Sequence, residues 1–249
     1  MSIYKYIKRM NPQYITGVTC ADCLKDTEDT IDVLLSGKNI WNLSFGERLW
    51  YETYALETLA FIAILNKSSP KNILDVGSGY GRVINLIKIN LPMALVTGTE
   101  NVKETYDVLT QRFQNIQGID INQGDVKEFL KVTNRHFDMA TCLMNTYGNI
   151  NDEELFSSVM NHSDKFVFSL YNPKYDALRE KMYRTRCHKS FKYRKSKKQY
   201  EFLDPWSNVQ VSKSYTGDEI HALVERANGK ITMLKQVGIL YFCIAEKIN

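Results

Sequence analysis

The chain has 249 residues, 44% of them hydrophobic and 24% charged. That balance excludes wholesale disorder, and the length suits one domain with an added lid rather than two independent domains. The formal net charge is only +4, no sign by itself of a nucleic-acid binder, yet it is unevenly placed: residues 174–199 carry eleven Lys or Arg against Asp176 and Glu180, a local +9 that leaves −5 for the rest.

Five cysteines are an odd count and too few for a disulfide framework. Cys20 and Cys23 form a C-x-x-C pair, but only Cys187 and His188 are placed to complete a tetrahedral set, and ligands so scattered predict no metal. No apolar run reaches the ~18 residues that span a bilayer, and the first fourteen residues lack the apolar core of a secretory signal. A reducing, cytoplasmic setting is the expectation.

In chain order, residues 1–45 are mixed and are expected to form a cap segment on a domain running over 46–249. Glu47–Leu65 reads as a helix, with Leu49, Leu56, Leu59, Ala60, Ala63 and Ile64 on one side. Ser68, Ser69 and Pro70 end it. NILDV (72–76) is an apolar run too short for a helix and reads as a buried strand. Helices are predicted over 83–89, 105–114, 128–132 and 153–160, and strands over 94–99, 119–121, 137–144 and 165–170. This alternation implies a parallel, doubly wound sheet with crossover helices. Residues 174–215 interrupt the rhythm. Thr216 and Glu219 then form a capping-box pattern opening a helix over 218–227, and two β segments (230–236 and 239–247) close the chain.

The most informative stretch is Asp75-Val-Gly77-Ser-Gly79-Tyr-Gly81, directly after the first strand. Glycines there let the backbone turn sharply and approach a ligand, and the next helix offers free N–H groups. The spacing is G-x-G-x-G rather than G-x-G-x-x-G, and an acid stands two residues before the first glycine. A carboxylate there repels a pyrophosphate and attracts an amine. Glu100 ends the second strand, where a carboxylate accepts both hydroxyls of a ribose. Asp125 follows the third strand, where it accepts from an adenine amine or simply caps a helix. Three acids at the carboxyl ends of consecutive strands fit a nucleoside site at that edge of the sheet.

ILDVGSGYG, TGTEN, QGDV and FDMATCLMNTYGN, in this order, resemble the motif series of the class I S-adenosylmethionine-dependent methyltransferases. The resemblance covers 72–170 and extends to the closing helix and β segments. It implies a three-layer sandwich around a seven-stranded, mostly parallel sheet with the last strand antiparallel. It also implies S-adenosyl-L-methionine as cofactor: Asp75 and the backbone at Gly77, Gly79 and Gly81 on the methionine part, Glu100 on the ribose, Asp125 on the adenine amine, and Val126 or Asn101 against the ring.

In this family the residues after the fourth strand face the transferring methyl group; here they are Asn145-Thr146-Tyr147-Gly148-Asn149. The Pro-Pro motif of adenine N6 methyltransferases is missing at this point. Cys142 lacks the neighbouring Pro of the cytosine C5 enzymes and reads as a core residue. NTYGN resembles the Asn-rich loop of small-molecule N-methyltransferases. Tyr147, Asn145 and Tyr171 are therefore the candidates for lining the transfer site, with Tyr51 or Tyr54 contributing from the first helix. His136 and His162 read as solvated.

Alternating aromatic and charged residues in 174–215, as at Phe191, Tyr193, Tyr200 and Phe202, predict a β-rich lid over the site. Its basic face admits two uses: enclosing a small, acidic substrate, or docking RNA by phosphate contact and stacking. The near-neutral total favours the small molecule. The leading expectation is transfer to a small acceptor at an amine nitrogen, with no membrane partner. The alternatives are an RNA or protein methyltransferase, and a cofactor-binding protein without transfer.

Overall fold

The computed structural model describes residues 45–186, 191–194, 199–203 and 209–248. Apart from Phe45, the expected cap over 1–45 lies outside the described residues, as do Cys20, Cys23, Cys187 and His188.

Helix α1 (Phe45–Ser68) leads into strand β1 (Asn72–Val76). Then follow α2 (Arg82–Asn90), β2 (Leu95–Glu100), α3 (Lys103–Phe113), β3 (Ile119–Gln123), α4 (Val126–Val132) and β4 (Met139–Cys142). A short α5 (Thr146–Ile150), α6 (Glu153–Asn161) and β5 (Lys165–Tyr171) complete the alternating part. The strands form one seven-stranded sheet in the order β3-β2-β1-β4-β5-β10-β9, where β9 is Gly229–Val237 and β10 is Leu240–Lys247. β10 runs antiparallel to both neighbours, while β1 to β5 pair in parallel. After β3 the chain crosses back to β4 on the other side of β1, so the sheet order reverses between β1 and β4 and the crevice there opens at their carboxyl ends.

Alternate residues along each strand feed two cores. Leu74, Ala140, Phe166, Phe168 and Cys243 pack with residues of α4, α6 and the closing helix. Ile73, Met139, Val167 and Phe242 pack with residues of α1, α2 and α3. Period-two alternation assigns these sets to opposite faces and confirms the three layers. The closing helix α8 (Gly217–Arg226) carries the predicted capping box: Thr216 Oγ accepts from the Glu219 N–H at 3.2 Å, and Glu219 Oε2 accepts from the Thr216 N–H at 2.7 Å.

Two expectations need amending. The inner face of α1 is not its leucine stripe: Leu56 and Leu59 are exposed, whereas Thr53, Tyr54, Glu57, Thr58, Phe61 and Leu65 are buried. A buried ion pair, described below, rotates polar residues inward. The insertion after β5 is β-rich as expected but begins with a helix, α7 (Asp176–Arg186). Asn172 and Pro173 start it: the Asn172 side chain accepts from the Lys174 N–H at 2.9 Å, and Pro173 opens the 3-10 turn that runs into α7. Beyond it, β6 (Phe191–Arg194), β7 (Gln199–Leu203) and β8 (Val209–Lys213) form an antiparallel three-stranded sheet. The lid is tied to the main sheet where Ser214 bridges Tyr171 and the Tyr215 N–H donates to the Tyr171 carbonyl at 2.9 Å.

Candidate functional site

The loop after β1 is shaped by what its neighbours leave room for. Gly77 and Gly81 have φ of 65° and 86°, where a side chain is strained. A Cβ at Gly77 would lie 2.5 Å from Thr146 Cγ2, and one at Gly81 only 2.2 Å from the Phe113 ring. Around Gly79 nothing lies within 4 Å of that position, so the middle of the loop borders open space. The loop is held by β2. Ser78 N–H donates to the Thr99 carbonyl at 2.8 Å, and Gly79 N–H donates to Glu100 Oε2 at 2.8 Å. The other oxygen of Glu100 accepts from the Val102 N–H at 2.9 Å. A carboxylate has about four acceptor positions, so Glu100 still has acceptor capacity.

Asp75 is only 1% exposed. Its Oδ1 accepts from the Thr141 hydroxyl at 2.7 Å, while Oδ2 has no hydrogen-bond partner. Burial pushes its pKa up to about 6, against the lowering pull of the Thr141 hydroxyl and the Arg82 charge. A buried carboxylate oxygen without a partner is costly, and a cationic donor reaching it would relieve that cost. The ammonium group of a methionine moiety has the required charge and donors, so the residues fit S-adenosylmethionine on this test.

Asp125 is exposed and caps α4, its Oδ1 accepting from the Lys127 N–H at 2.7 Å. Val126 is buried beneath it, and Asn101 is exposed at the end of β2. The Gly124 N–H donates to the Glu100 carbonyl at 2.9 Å, which brings the ends of β2 and β3 together. All three acids therefore stand at adjacent strand ends, in the order β3, β2, β1.

At the end of β4 the chain takes two consecutive left-handed residues, Met144 (φ 54°) and Asn145 (φ 61°). Such strain persists only where surroundings hold it. Asn145 is fully buried: Oδ1 accepts from the Tyr171 N–H at 2.9 Å, and Nδ2 donates to Ser212 Oγ at 3.3 Å. Its side chain thus joins β4, β5 and the lid strand β8. Gly148 has to be glycine, because a Cβ there would lie 2.3 Å from Asn145 Oδ1. Tyr147 turns into the core, packing edge-on against Phe156 at 5.1 Å between ring centres, and burial pushes its phenol above the usual range. Cys142 is buried and its thiol is likewise pushed up by burial, in keeping with a core residue. Tyr171 is buried beside Arg179 of α7, and Tyr54 lies under Arg82. His136 pairs with Asp164 on the surface, and His162 ends α6. Among the described residues no cluster of His, Cys, Asp or Glu is placed to hold a metal ion.

One buried ion pair beside these strand ends has no local motif. Glu57 of α1, wholly buried, pairs with Arg82 at 2.6 Å, while its Oε1 accepts from the Met144 N–H at 2.8 Å and from the Ser169 hydroxyl. Arg82 also donates to Thr58 Oγ1 at 3.3 Å and lies over the Tyr54 ring. This network holds the strained turn after β4 against the start of α2, the helix that follows the glycine loop. An acid at an inward position of α1, one residue off the leucine stripe, was the only available signal for it.

The comparisons with known proteins agree with this geometry. Residues 73–163 match the family model of the methyltransferase domain. An S-adenosylmethionine-dependent methyltransferase from Clostridium acetobutylicum has 12% identity, covering 91% of this chain and all of that one, with a TM-score of 0.58. Magnesium protoporphyrin IX methyltransferase from Synechocystis, solved with bound S-adenosylhomocysteine, has 13% identity, covering 88% and 95%, with a TM-score of 0.57. The CcbJ methyltransferase from Streptomyces caelestis has 13% identity, covering 78% and 94%, with a TM-score of 0.55. A search of curated proteins found no match. No described helix is long and apolar enough to cross a membrane. Sheet order, structural likeness and family match converge: residues 73–163 match the methyltransferase-domain model, and the chain has the fold of the S-adenosylmethionine-dependent methyltransferases.

Proposed function

We propose that this protein transfers the methyl group of S-adenosylmethionine to a small acceptor, at an amine nitrogen. The observation that carries the reading is the character of the strand ends beside the cofactor edge. Cys142 and Tyr147 are both buried and held protonated, so neither serves as a base near neutral pH. An amine that enters as the free base needs none: its lone pair forms the N–C bond as the methyl–sulfonium bond breaks, S-adenosylhomocysteine leaves, and the extra proton passes to water. For such a reaction, alignment and exclusion of water provide most of the acceleration.

The cofactor supplies an electrophilic methyl group on a sulfonium. Asp75 receives the ammonium of its methionine part at the free Oδ2, with the backbone of Gly77, Gly79 and Gly81 alongside. Glu100 takes the ribose hydroxyls with its remaining lone pairs. Asp125, with Val126 and Asn101, borders the adenine. Asn145 acts as a positioning residue that fixes the Tyr171 backbone and the lid strand. Tyr147 supports it from the core side.

The lid supports a small acceptor rather than RNA or protein. Its helix turns Arg179 inward, pairs Arg184 with Glu180 at 2.7 Å, and lays Lys181 against the Phe45 ring. Of these, the buried Arg179 is out of reach of an RNA backbone. Methyl transfer from S-adenosylmethionine to a panel of primary and secondary amines, matched alcohols and total RNA tests the reading. Turnover is expected with amines and little changed between roughly 50 and 300 mM salt. Transfer to RNA alone, lost steeply with salt, contradicts it; cofactor binding without any transfer shows a binding protein instead.

A further inference from the structure

Arg179 is the largest fully buried side chain among the described residues, 1% exposed. None of its three nitrogens makes a hydrogen bond. Its charge is met by Asp176, one turn earlier, at 3.1 Å from Nη2. Asp176 is itself fixed by the Ser214 hydroxyl at 3.2 Å on its other oxygen. Two rings lie against the guanidinium: Tyr171 at the end of β5, 4.8 Å away, and Tyr200 of β7, 4.5 Å away.

These rings are held in place from several directions. The Tyr200 hydroxyl donates to the Asp176 carbonyl at 2.9 Å, and its ring meets Tyr183 edge-on at 5.5 Å. Tyr183 shares a hydrogen bond with Ser212 at 2.9 Å, and Ser212 in turn accepts from Asn145. The guanidinium is thus fixed between the carboxyl end of β5, the helix α7 and the lid, one link from the strained turn after β4.

A guanidinium taken out of water with its N–H donors unpaired is costly, and buried polar groups are as a rule hydrogen-bonded. Asp176 offsets charge at one nitrogen but leaves the hydrogen-bonding capacity unused. The acceptor that matches this fork is a second carboxylate, which takes two parallel N–H bonds in one plane. Lysine would offer a point charge; an arginine held by rings specifies orientation as well.

We infer that Arg179 binds a carboxylate of the methyl acceptor, making the substrate an acidic small molecule clasped between the end of β5 and the lid. The inference rests on the small-acceptor reading above and narrows it to a chemical class. It also gives the basic insertion a use: the net positive charge of residues 174–199 draws an anion, and one buried cation reads it.

The test uses the full chain. Calorimetry with S-adenosylhomocysteine comes first, because absence of binding overturns the cofactor reading beneath this one. Thermal melting of the saturated protein is then followed with acetate against acetamide and benzoate against benzamide, with sodium chloride matching the ionic strength. The carboxylates are expected to raise the melting temperature by several degrees at saturation and the amides not at all. Arg179→Gln should bind S-adenosylhomocysteine as the wild type does and lose at least about tenfold in carboxylate affinity, about 1.4 kcal/mol. Equal responses to acid and amide, a response to inorganic phosphate alone, or an unchanged carboxylate response in Arg179→Gln each overturn the inference. If that variant does not fold, the acid–amide comparison on the wild-type chain still decides.

Discussion

The two halves of the sheet's carboxyl edge are built in opposite ways. At the ends of β1, β2 and β3 the loop backbone and acids are fixed mostly by groups nearer in sequence: Gly79 meets Glu100 and Asp125 caps the helix it begins, although Asp75 reaches Thr141 across 66 residues. At the ends of β4 and β5 the fixing groups come from far away. Glu57 reaches Met144 across 87 residues, and Asn145 reaches Ser212 across 67. On the function proposed above, the first half would cradle a cofactor common to a large family, which suits compact motifs. The second half would have to fit one acceptor, and it is assembled from side chains of the first helix and the lid.

The largest effect is expected where the long-range half is anchored. Arg82→Met leaves Glu57 buried without its cation and should cost about 3–5 kcal/mol of stability in denaturant unfolding. If the loss is under about 1 kcal/mol, the pair does not hold the two halves together. On the cradle side, Asp75→Asn keeps shape and removes charge. It should weaken S-adenosylmethionine binding by about 10- to 100-fold, the worth of one charge-assisted bond, with little change in fold.

Asp75 also sets a pH dependence. Its pKa is raised from 3.8 to about 6 by burial, so the folded protein without ligand holds that proton more tightly than the unfolded chain. Ionisation therefore subtracts stability as pH rises from about 4 to 6, on the order of 2–3 kcal/mol, and the penalty is complete above the folded value. Cofactor affinity should move the other way, rising through pH 6 as the carboxylate ionises. Melting curves and titrations from pH 5 to 7.5 check both slopes, and Asp75→Asn should flatten them.

Smaller effects separate the halves further. Asn145→Ala removes the acceptor of the buried Tyr171 N–H and should cost about 1–3 kcal/mol, with cofactor affinity near that of the wild type. An equal loss of cofactor affinity would erase the distinction drawn here. Asp125→Ala removes a cap worth about 1 kcal/mol. It should also weaken cofactor binding several-fold; a pure stability effect would make the residue a cap and nothing more.

The same contrast explains what could be read from the sequence. The seven strands and the antiparallel one among them follow from the family resemblance, whereas the alternation of strands and helices, the glycine loop and the strand-end acids are encoded by local pattern: short apolar runs, glycine spacing and a capping box. The inner face of α1 was not, because apolar periodicity points to Leu56 and Leu59 while a buried Glu57–Arg82 pair turns the helix the other way. Helix α7 was hidden by the charge of its segment, although Asn172 and Pro173 marked its start. Tyr147 is expected in the site from its position after β4, and its ring packs edge-on against Phe156 on the core side. Arg179 was one of eleven basic residues in its segment, and only tertiary packing set it apart.

The central claim is that the edge formed by Asp75, the glycine loop and Glu100 holds S-adenosylmethionine. Isothermal titration of S-adenosylhomocysteine into the wild-type chain and into Asp75→Asn at pH 7.5 tests it most directly. The account predicts one site per chain in the wild type and at least about tenfold weaker binding in the variant. Binding of equal strength in both, or none to the wild type, contradicts it.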